Sequence, residues 1–375
     1  MYLWERADWP DLTWSAQTLI GPLAHARQRQ GHLLGRMAQL GFELQGAARV
    51  QAVAEEAVKS SAIEGETLDL DSVRSSVARR LGVKLAGLSH PVDQKTEGVV
   101  EMVLDATLNF AKPLTAERLF GWQAALFPGG FSGIHRIAIG ELRDDREGPM
   151  QVVSGQVGKE RVHFEAPPAK RLNAELKRFL KWFAAPNTDG LLHAGLAHLW
   201  FVTLHPFDDG NGRVARAVTD LALARDERQA ARFYSLSSQI RVERKAYYLE
   251  LERAQRGPTD VTPWLSWFVS CFTRAIDSAE HVLKDVLARN ELATRAARAV
   301  LNERQKMMVA KLLAGLDGKL TAKRWAAMTK ASVDSAQRDL KGLVELKLLV
   351  QNPGGSKNTS YALGTRSKDV SVRGE

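Results

Sequence analysis

The twelve residues from His205 to Arg216, His-Pro-Phe-Asp-Asp-Gly-Asn-Gly-Arg-Val-Ala-Arg, hold a proton acceptor, a metal-type carboxylate and two arginines within one short stretch. A histidine can take a proton from an incoming hydroxyl near neutral pH, which is the role open to His205. Asp209 offers a hard oxygen of the kind that holds Mg²⁺ jointly with phosphates. Pro206 closes the element before it, and Gly210 and Gly212 free the backbone for a tight turn. Asn211 is expected to cap a helix that continues through Leu221. Backbone N–H groups at a helix start bind anions, and Arg213 and Arg216 add positive charge to that end. Phosphate cradle, metal ligand and base in one loop describe a nucleotide-dependent transferase. The common phosphate loop, G-x-x-x-x-G-K-[ST], is absent from the chain.

The stretch resembles the signature of the Fic family, HPFx[D/E]GNGRxxR, at every specified position. The resemblance implies transfer of AMP from ATP to a Ser, Thr or Tyr hydroxyl of a target protein, with pyrophosphate released. By that resemblance His205 is the general base, Asp209 the Mg²⁺ ligand and Asn211 a contact to the α-phosphate. Gly210 and Gly212 would offer backbone N–H groups to the phosphates, Arg213 would grip near the β-phosphate and Arg216 would meet the γ-phosphate. Phe207 would anchor the loop in the core. Val152 and Val153 fall in a hairpin similar to the family's flap, which implies a target segment held by strand pairing. Arg244 to Tyr248 resembles the stretch lining the adenine pocket, with Tyr247 as first candidate. Removal of AMP, transfer of another nucleotide, and a DNA-binding regulator with a nucleotide-sensing site remain alternatives.

A second motif lies upstream. Ser60-Ser61-Ala62-Ile63-Glu64-Gly65 resembles the family's inhibitory pattern, [S/T]xxxE[G/N], with Ser60 and Glu64 in the marked places. The resemblance implies an N-terminal inhibitory helix whose Glu64 pairs with Arg216 where the γ-phosphate would sit. One guanidinium cannot fully satisfy a carboxylate and a phosphate together, so the two compete for a charge-assisted site.

These motifs need elements to position them. Apolar residues recur every three or four positions over Leu19 to Leu40, Ala47 to Ile63, Ala169 to Phe183 and Ala194 to Leu204, predicting helices. Pro22 is expected in an opening turn, where a helix tolerates it, and Gly65 as the stop after Ile63. Met150 to Phe164 carries β-branched residues on both sides of a Gly-containing turn, predicting a hairpin that needs something to pack against. Trp4, Trp9 and Trp14 are expected to pack as core. The fold class is therefore all-α, a Fic helical core with a β-hairpin flap, followed by a C-terminal module.

That module has a different rhythm. Leu301 to Ala314 and Thr321 to Met328 read as short helices, and Ser332 as the N-cap of a third running to about Leu346. Leu348 to Gln351, a turn over Asn352 to Lys357, and Thr359 to Leu363 read as a two-stranded wing. The outline, with Leu301-Asn302-Glu303-Arg304-Gln305 and Arg338-Asp339-Leu340, resembles the winged helix fused to such proteins. Its third helix and flanks carry Lys330, Arg338, Lys341 and Lys347, but also Asp334, Asp339 and Glu345, a mixed face for DNA. Lys357 is a candidate phosphate contact. From Glu303 onward 14 Lys and Arg stand against 7 Asp and Glu, a net of +7 within the chain's +9, so any nucleic-acid argument belongs to this segment.

The expected domains are 1–90, carrying the inhibitory helix, 91–285 as catalytic core and 286–375 as winged helix. Cys271 is the sole cysteine among 375 residues, which excludes an intrachain disulfide. No apolar stretch approaches the roughly 20 residues needed to span a bilayer, and the N-terminus lacks an apolar signal core. The expected partners are a target protein along the flap, either DNA or protein through the winged helix, and a second copy in a homodimer, the last from the resemblance alone; the expected location is the cytoplasm.

Overall fold

The computed structural model describes residues 1–83, 90–146, 148–155, 159, 161–313, 319–352 and 359–364, apart from the side chains at 285, 286 and 289. The chain divides into two units, Met1–Ala279 and Glu280–Glu375. In the first, a 3₁₀ turn at Leu3–Glu5 precedes α1 (Ala16–Ala38), α2 (Phe42–Ile63), α3 (Leu70–Leu81), α4 (Gln94–Leu108) and α5 (Ala116–Leu126). Two small antiparallel hairpins follow, β1 (Phe131–Ser132) with β2 (His135–Arg136), and β3 (Gln151–Ser154) with β4 (Arg161–Glu165). Then come α6 (Ala169–Ala184), α7 (Gly190–Leu204), α8 (Asn211–Glu227), α9 (Leu236–Val242) and α10 (Arg244–Arg256). A long helix, α11 (Thr262–Arg298), begins in the first unit and ends in the second.

The helix that leads into the motif is the centre of the first unit. Every residue of α7 from Leu191 to Leu204 is buried, as expected for a helix apolar on all sides. It starts where Asp189 accepts from Leu191 N at 2.8 Å and ends where His205 turns left-handed, φ 47°. Its long neighbour α8 lies against it, and α4 and α2 also pack on α8. By contrast α6 is amphipathic and turns Leu172, Leu176, Phe179 and Phe183 inward. Phe179 meets Trp200 and Phe201 of α7 edge-on, each at 5.7 Å. Trp4 and Trp9 are buried and Trp14 is half-buried. Trp9 packs edge-on to Trp200, and its indole N–H donates to Glu175 at 3.1 Å.

One expectation about α1 changes. Ser15 caps it by accepting from Thr18 N at 3.2 Å, so the helix begins at Ala16 rather than Leu19. Pro22 therefore lies inside the helix, past its opening turn.

The second unit comprises α12 (Glu303–Leu313), α13 (Ala322–Thr329) and α14 (Val333–Glu345), with a three-stranded antiparallel sheet ordered β5 (Leu320–Thr321), β7 (Ser360–Leu363), β6 (Leu349–Gln351). Ser332 caps α14 by accepting from Ser335 N. Trp325, Met308, Leu340, Leu343 and Leu348 form its core. The turn expected to carry Lys357 lies outside the described residues. Asp339 corrects the mixed-face reading of α14, because it points inward and is only 4% exposed. It accepts from Arg304 Nε at 2.8 Å, Asn302 Nδ2 at 2.8 Å and Trp325 Nε1 at 3.3 Å. Those bonds and the Arg304 charge hold its carboxyl below the usual range against the opposing effect of burial. Asp334 and Glu345 are the acids that remain exposed beside Arg338 and Lys341.

Asp339→Ala leaves Asn302 and Trp325 donors without their acceptor. We expect the second unit to lose about 1–3 kcal/mol, mostly from those neutral donors because Arg304 is partly exposed and screened. An earlier transition in denaturant unfolding of the full chain checks this; an unmoved transition would refute it.

Candidate active site

The motif loop is held mainly by side chains bonded to backbone. Gly210 has φ +86° at the start of α8, and a Cβ there would stand 3.0 Å from the Phe127 ring, so the turn admits glycine alone. Asn211 is the first residue of α8 rather than its cap. Its amide accepts from Phe207 N at 3.0 Å and donates to Phe207 O at 2.7 Å. With the side chain 3% exposed and bonded twice to Phe207, Asn211 fixes the loop's shape. Phe207 is fully buried and packs on Phe120 and Phe201. Burial of such a ring contributes roughly 2–3 kcal/mol, which anchors the loop as expected. Asp208 accepts from Ala138 N at 2.8 Å, tying the loop to the chain that follows β2.

Arg143 does the most of this work and was not legible in the sequence. It is 2% exposed. Its Nε donates to His205 O at 2.7 Å, Nη2 to Pro167 O at 2.6 Å and Nη1 to Asp145 at 2.9 Å, while Arg143 N donates to Pro206 O at 3.0 Å. One guanidinium thus joins the motif to the chain after β4.

His205 is half-buried, with Nδ1 3.2 Å from Val202 O. A carbonyl only accepts, so Nδ1 carries the hydrogen and Nε2 keeps its lone pair. Burial lowers the His205 pKa below the usual 6.5, and the Arg143 charge lowers it further; the Val202 bond, Glu64 and Asp209 oppose this. The ring is therefore neutral at pH 7, the form a general base needs.

Arg213 and Arg216 are three residues apart on α8 and share a face. Both are buried, at 1% and 3% exposure. The last turn of α2 reaches Arg216 at three points. Nε donates to Ser60 Oγ at 2.8 Å, and Nη2 donates to Ser60 O at 2.8 Å and Glu64 Oε1 at 2.7 Å. Burial is the largest influence and opposes the Arg216 charge, but the charge and hydrogen bond of Glu64 together with Tyr247 and Tyr248 outweigh it, and the pKa is raised. A Cβ on Gly212 would overlap Glu64 Oε1, so this carboxylate lies directly on the first turn of α8. Among the described residues, Arg213 Nε and Arg216 Nη1 are buried donors without a hydrogen-bond partner. Buried donors are seldom left unpaired, and a ligand carrying anionic oxygens would satisfy them.

Asp209 is half-buried and accepts from Ser132 Oγ of the first hairpin. Among the described residues no group of three or more His, Cys, Asp or Glu stands ready for a metal. The donor set fits a cation held by one carboxylate, with phosphate oxygens and water completing its shell, which is how Mg²⁺ is commonly bound.

The second hairpin pairs Gln151 with Glu165 and Ser154 with Arg161, with a bulge between Val152 and Val153. It rests on the N-terminus through Trp4 Nε1 to Glu165 O at 2.7 Å and the edge-on contact of Phe164 with Tyr2. Val153 is 48% exposed, and neither outer strand edge pairs with another strand among the described residues. Tyr247 does not line an accessible pocket. It is 2% exposed, its hydroxyl bonds His198 Nε2 at 2.9 Å, and its ring packs on Trp267 and Tyr248. His198, wholly enclosed beside Arg216, is pushed down to about 3 and stays neutral. The partly exposed aromatic of that stretch is Tyr248; Arg244 beside it donates to Ile63 O at 2.9 Å and so holds the end of α2.

Sequence reading also missed Glu66. Its Oε2 accepts from Arg213 Nη1 at 2.7 Å, and Lys95 Nζ lies 3.0 Å from Oε1. The available signal was its place two residues after Glu64, across a helix-stopping glycine.

Residues 113–223 match the family described as "Fic/DOC family", and residues 2–83 match a domain of unknown function, DUF4172. The chain is 26% identical over 224 residues to the protein adenylyltransferase Fic of Nematostella vectensis, covering 58% of this chain and 47% of that one. It is 25% identical to the protein of that name from Drosophila mojavensis, covering 58% and 39%. A uridine 5′-monophosphate transferase of Xanthomonas campestris is 30% identical over 123 residues, 30% of this chain and 21% of that one. The chain thus spans less than half the length of these curated relatives. In fold it is similar to a Fic family protein from Desulfovibrio desulfuricans, TM-score 0.54 at 21% identity, covering 94% of this chain and 98% of that one. A Fic domain containing signaling protein from Bacteroides thetaiotaomicron aligns with TM-score 0.51 at 18% identity, covering 68% and 95%.

Arg143→Met keeps an unbranched apolar stem and removes the donors to His205 O, Pro167 O and Asp145. Stranding two buried carbonyls is expected to cost about 1–3 kcal/mol, read as a lower Tm. An unchanged Tm would show that the loop is held by other contacts.

Proposed function

The chain carries a Fic/DOC domain at residues 113–223, and we propose that it is a protein adenylyltransferase moving AMP from ATP to a hydroxyl of a target protein. The observation that carries this reading is the pair of buried arginines on α8, each with an unpartnered N–H, four and seven residues past Asp209 and beside a neutral His205. Protein adenylyltransferase is also the name of the two longest-matching relatives described above.

In this reading the triphosphate lies along the N-terminal turn of α8. The backbone N–H of Gly212 and the arginine donors take its oxygens, whereas Gly210 N, also expected to face the phosphates, donates to Asp209 Oδ1. Mg²⁺, when bound at Asp209, supplies neutralising charge for the phosphates. His205 Nε2 takes the proton of the target hydroxyl, whose oxygen attacks the α-phosphorus. A phosphodiester to the target forms, the bond to the β-phosphate breaks, and pyrophosphate leaves. The open edge of β3 is suited to pairing with an extended target segment. The partly exposed Tyr248 replaces Tyr247 as the aromatic candidate beside the base. The second unit is read as a winged helix that recruits a partner, DNA or protein.

We read Glu64 as an internal brake, since its carboxylate occupies Arg216 and the first turn of α8. A competition on the order of 1–3 kcal/mol is enough to keep the resting protein slow.

The test is incorporation of label from α-labelled ATP with Mg²⁺, in parallel with α-labelled UTP. Wild type, Glu64→Gly and the Glu64→Gly/His205→Ala double variant are compared. Label on the protein or on added lysate proteins should be strongest in Glu64→Gly, on the order of 5–100-fold above wild type, and absent in the double variant. No label from either nucleotide despite measurable ATP binding would overturn the transferase reading, and preference for UTP would overturn the choice of AMP. The Glu64→Gly rate should also hold constant from pH 8 through neutrality and fall only below about pH 6.5, because the base works unprotonated and its pKa is lowered. A rate already falling between pH 8 and 7 would contradict a neutral His205.

A further inference from the structure

The end of α2 delivers two carboxylates to the site, and the second is unassigned. Gly65, with φ +87°, closes the helix in a Schellman turn in which Gly65 N donates to Ala62 O at 3.3 Å and Glu66 N to Ser61 O at 3.0 Å. The turn fixes Glu64 and Glu66 relative to each other. Glu64 meets Arg216 and Glu66 meets Arg213, both at 2.7 Å.

Arg213 has few other partners available. The Phe127 ring covers its guanidinium at 4.9 Å, and its Nε is buried and unpaired. Glu66, with its side chain 23% exposed, is the carboxylate that neutralises it. A phosphate reaching Arg213 competes with Glu66 for Nη1 and for the same positive charge, so the two anions weaken each other's hold on one guanidinium. Lys95, at the start of α4, already holds the other oxygen of Glu66. A displaced Glu66 therefore keeps a cationic partner near the surface, which lowers the cost of opening.

We infer that Glu66 is a second gate on the same nucleotide site, competing with the phosphate that Arg213 would hold, so that a triphosphate contends with two carboxylates linked through one turn of chain. The inference rests on the nucleotide-site reading above. It separates the two carboxylates: removing Glu64 frees Arg216 and leaves Arg213 occupied. Loss of the Glu64 contact alone is then an incomplete release. A nucleoside monophosphate, which has no phosphate to place on Arg213, is indifferent to Glu66.

The experiment measures ATP and AMP affinity by titration calorimetry with Mg²⁺ on the full chain, for wild type, Glu66→Gln, Glu64→Gly and Glu64→Gly/Glu66→Gln. The isosteric amide keeps an acceptor for Arg213, so the fold is retained. Glu66→Gln should tighten ATP by about 5–100-fold in both backgrounds, the range of ordinary coupling between sites, and leave AMP within about 2-fold. ATP affinity unmoved by Glu66→Gln in either background would overturn the inference, as would equal tightening of AMP, which marks a general charge effect. Absence of ATP binding in every variant would overturn it together with the nucleotide reading. Label transfer tells the two apart. Strong label in Glu64→Gly with ATP affinity indifferent to Glu66 defeats only the second gate. ATP affinity that responds to Glu66 without label in any variant defeats only the transferase reading.

Discussion

The Arg216 guanidinium is 3% exposed, and a buried cation without partners costs on the order of several kcal/mol. The elements around it are arranged to supply acceptors. Ser60 gives a hydroxyl and a carbonyl, Glu64 gives a charge, and α2 must end where it does for all three to point at α8. The end of α2 is secured from the other side by Arg244 on α10. Arg216 and the end of α2 thus hold each other in place.

The second constraint is the shape of the motif loop. A left-handed His205 and a left-handed Gly210 reverse the chain between α7 and α8, and such a turn exposes backbone groups that need partners. Arg143, Asn211 and Asp208 provide them. The polar side chains of this region therefore divide by task. Some hold the backbone of the loop, and others, Arg213 and Arg216, meet the carboxylates that follow from the end of α2. Asn211 belongs to the first set through its two bonds to Phe207.

The long helix pair α7 and α8 makes this division possible. A helix buried on every face cannot tilt without disturbing close packing on all sides, so both ends of the loop are anchored to a rigid frame. Function-bearing atoms then ride on helix ends and not on free loop. His198 and Tyr247 continue the frame beneath Arg216, a neutral hydrogen-bonded pair in a setting where a second charge would be costly.

The candidate site residues were legible in the sequence because their identities and spacing lie within short contiguous stretches. His205 to Arg216 and Ser60 to Gly65 each occupy a single turn or helix end, so local geometry alone makes their chemistry readable. Helices with strong periodicity, such as those ending at Ile63 and Leu204, were likewise determined by their own apolar pattern and stop signals. The tertiary structure decided which side chain meets which over long separations. Arg143 to His205, Glu66 to Arg213, Ser132 to Asp209 and the inward turn of Asp339 are pairings of residues far apart in the chain or oriented by packing. Nothing in a local pattern distinguishes an arginine that will hold backbone from one that will face solvent. That choice follows from burial, and burial is settled only when the helices have closed around it.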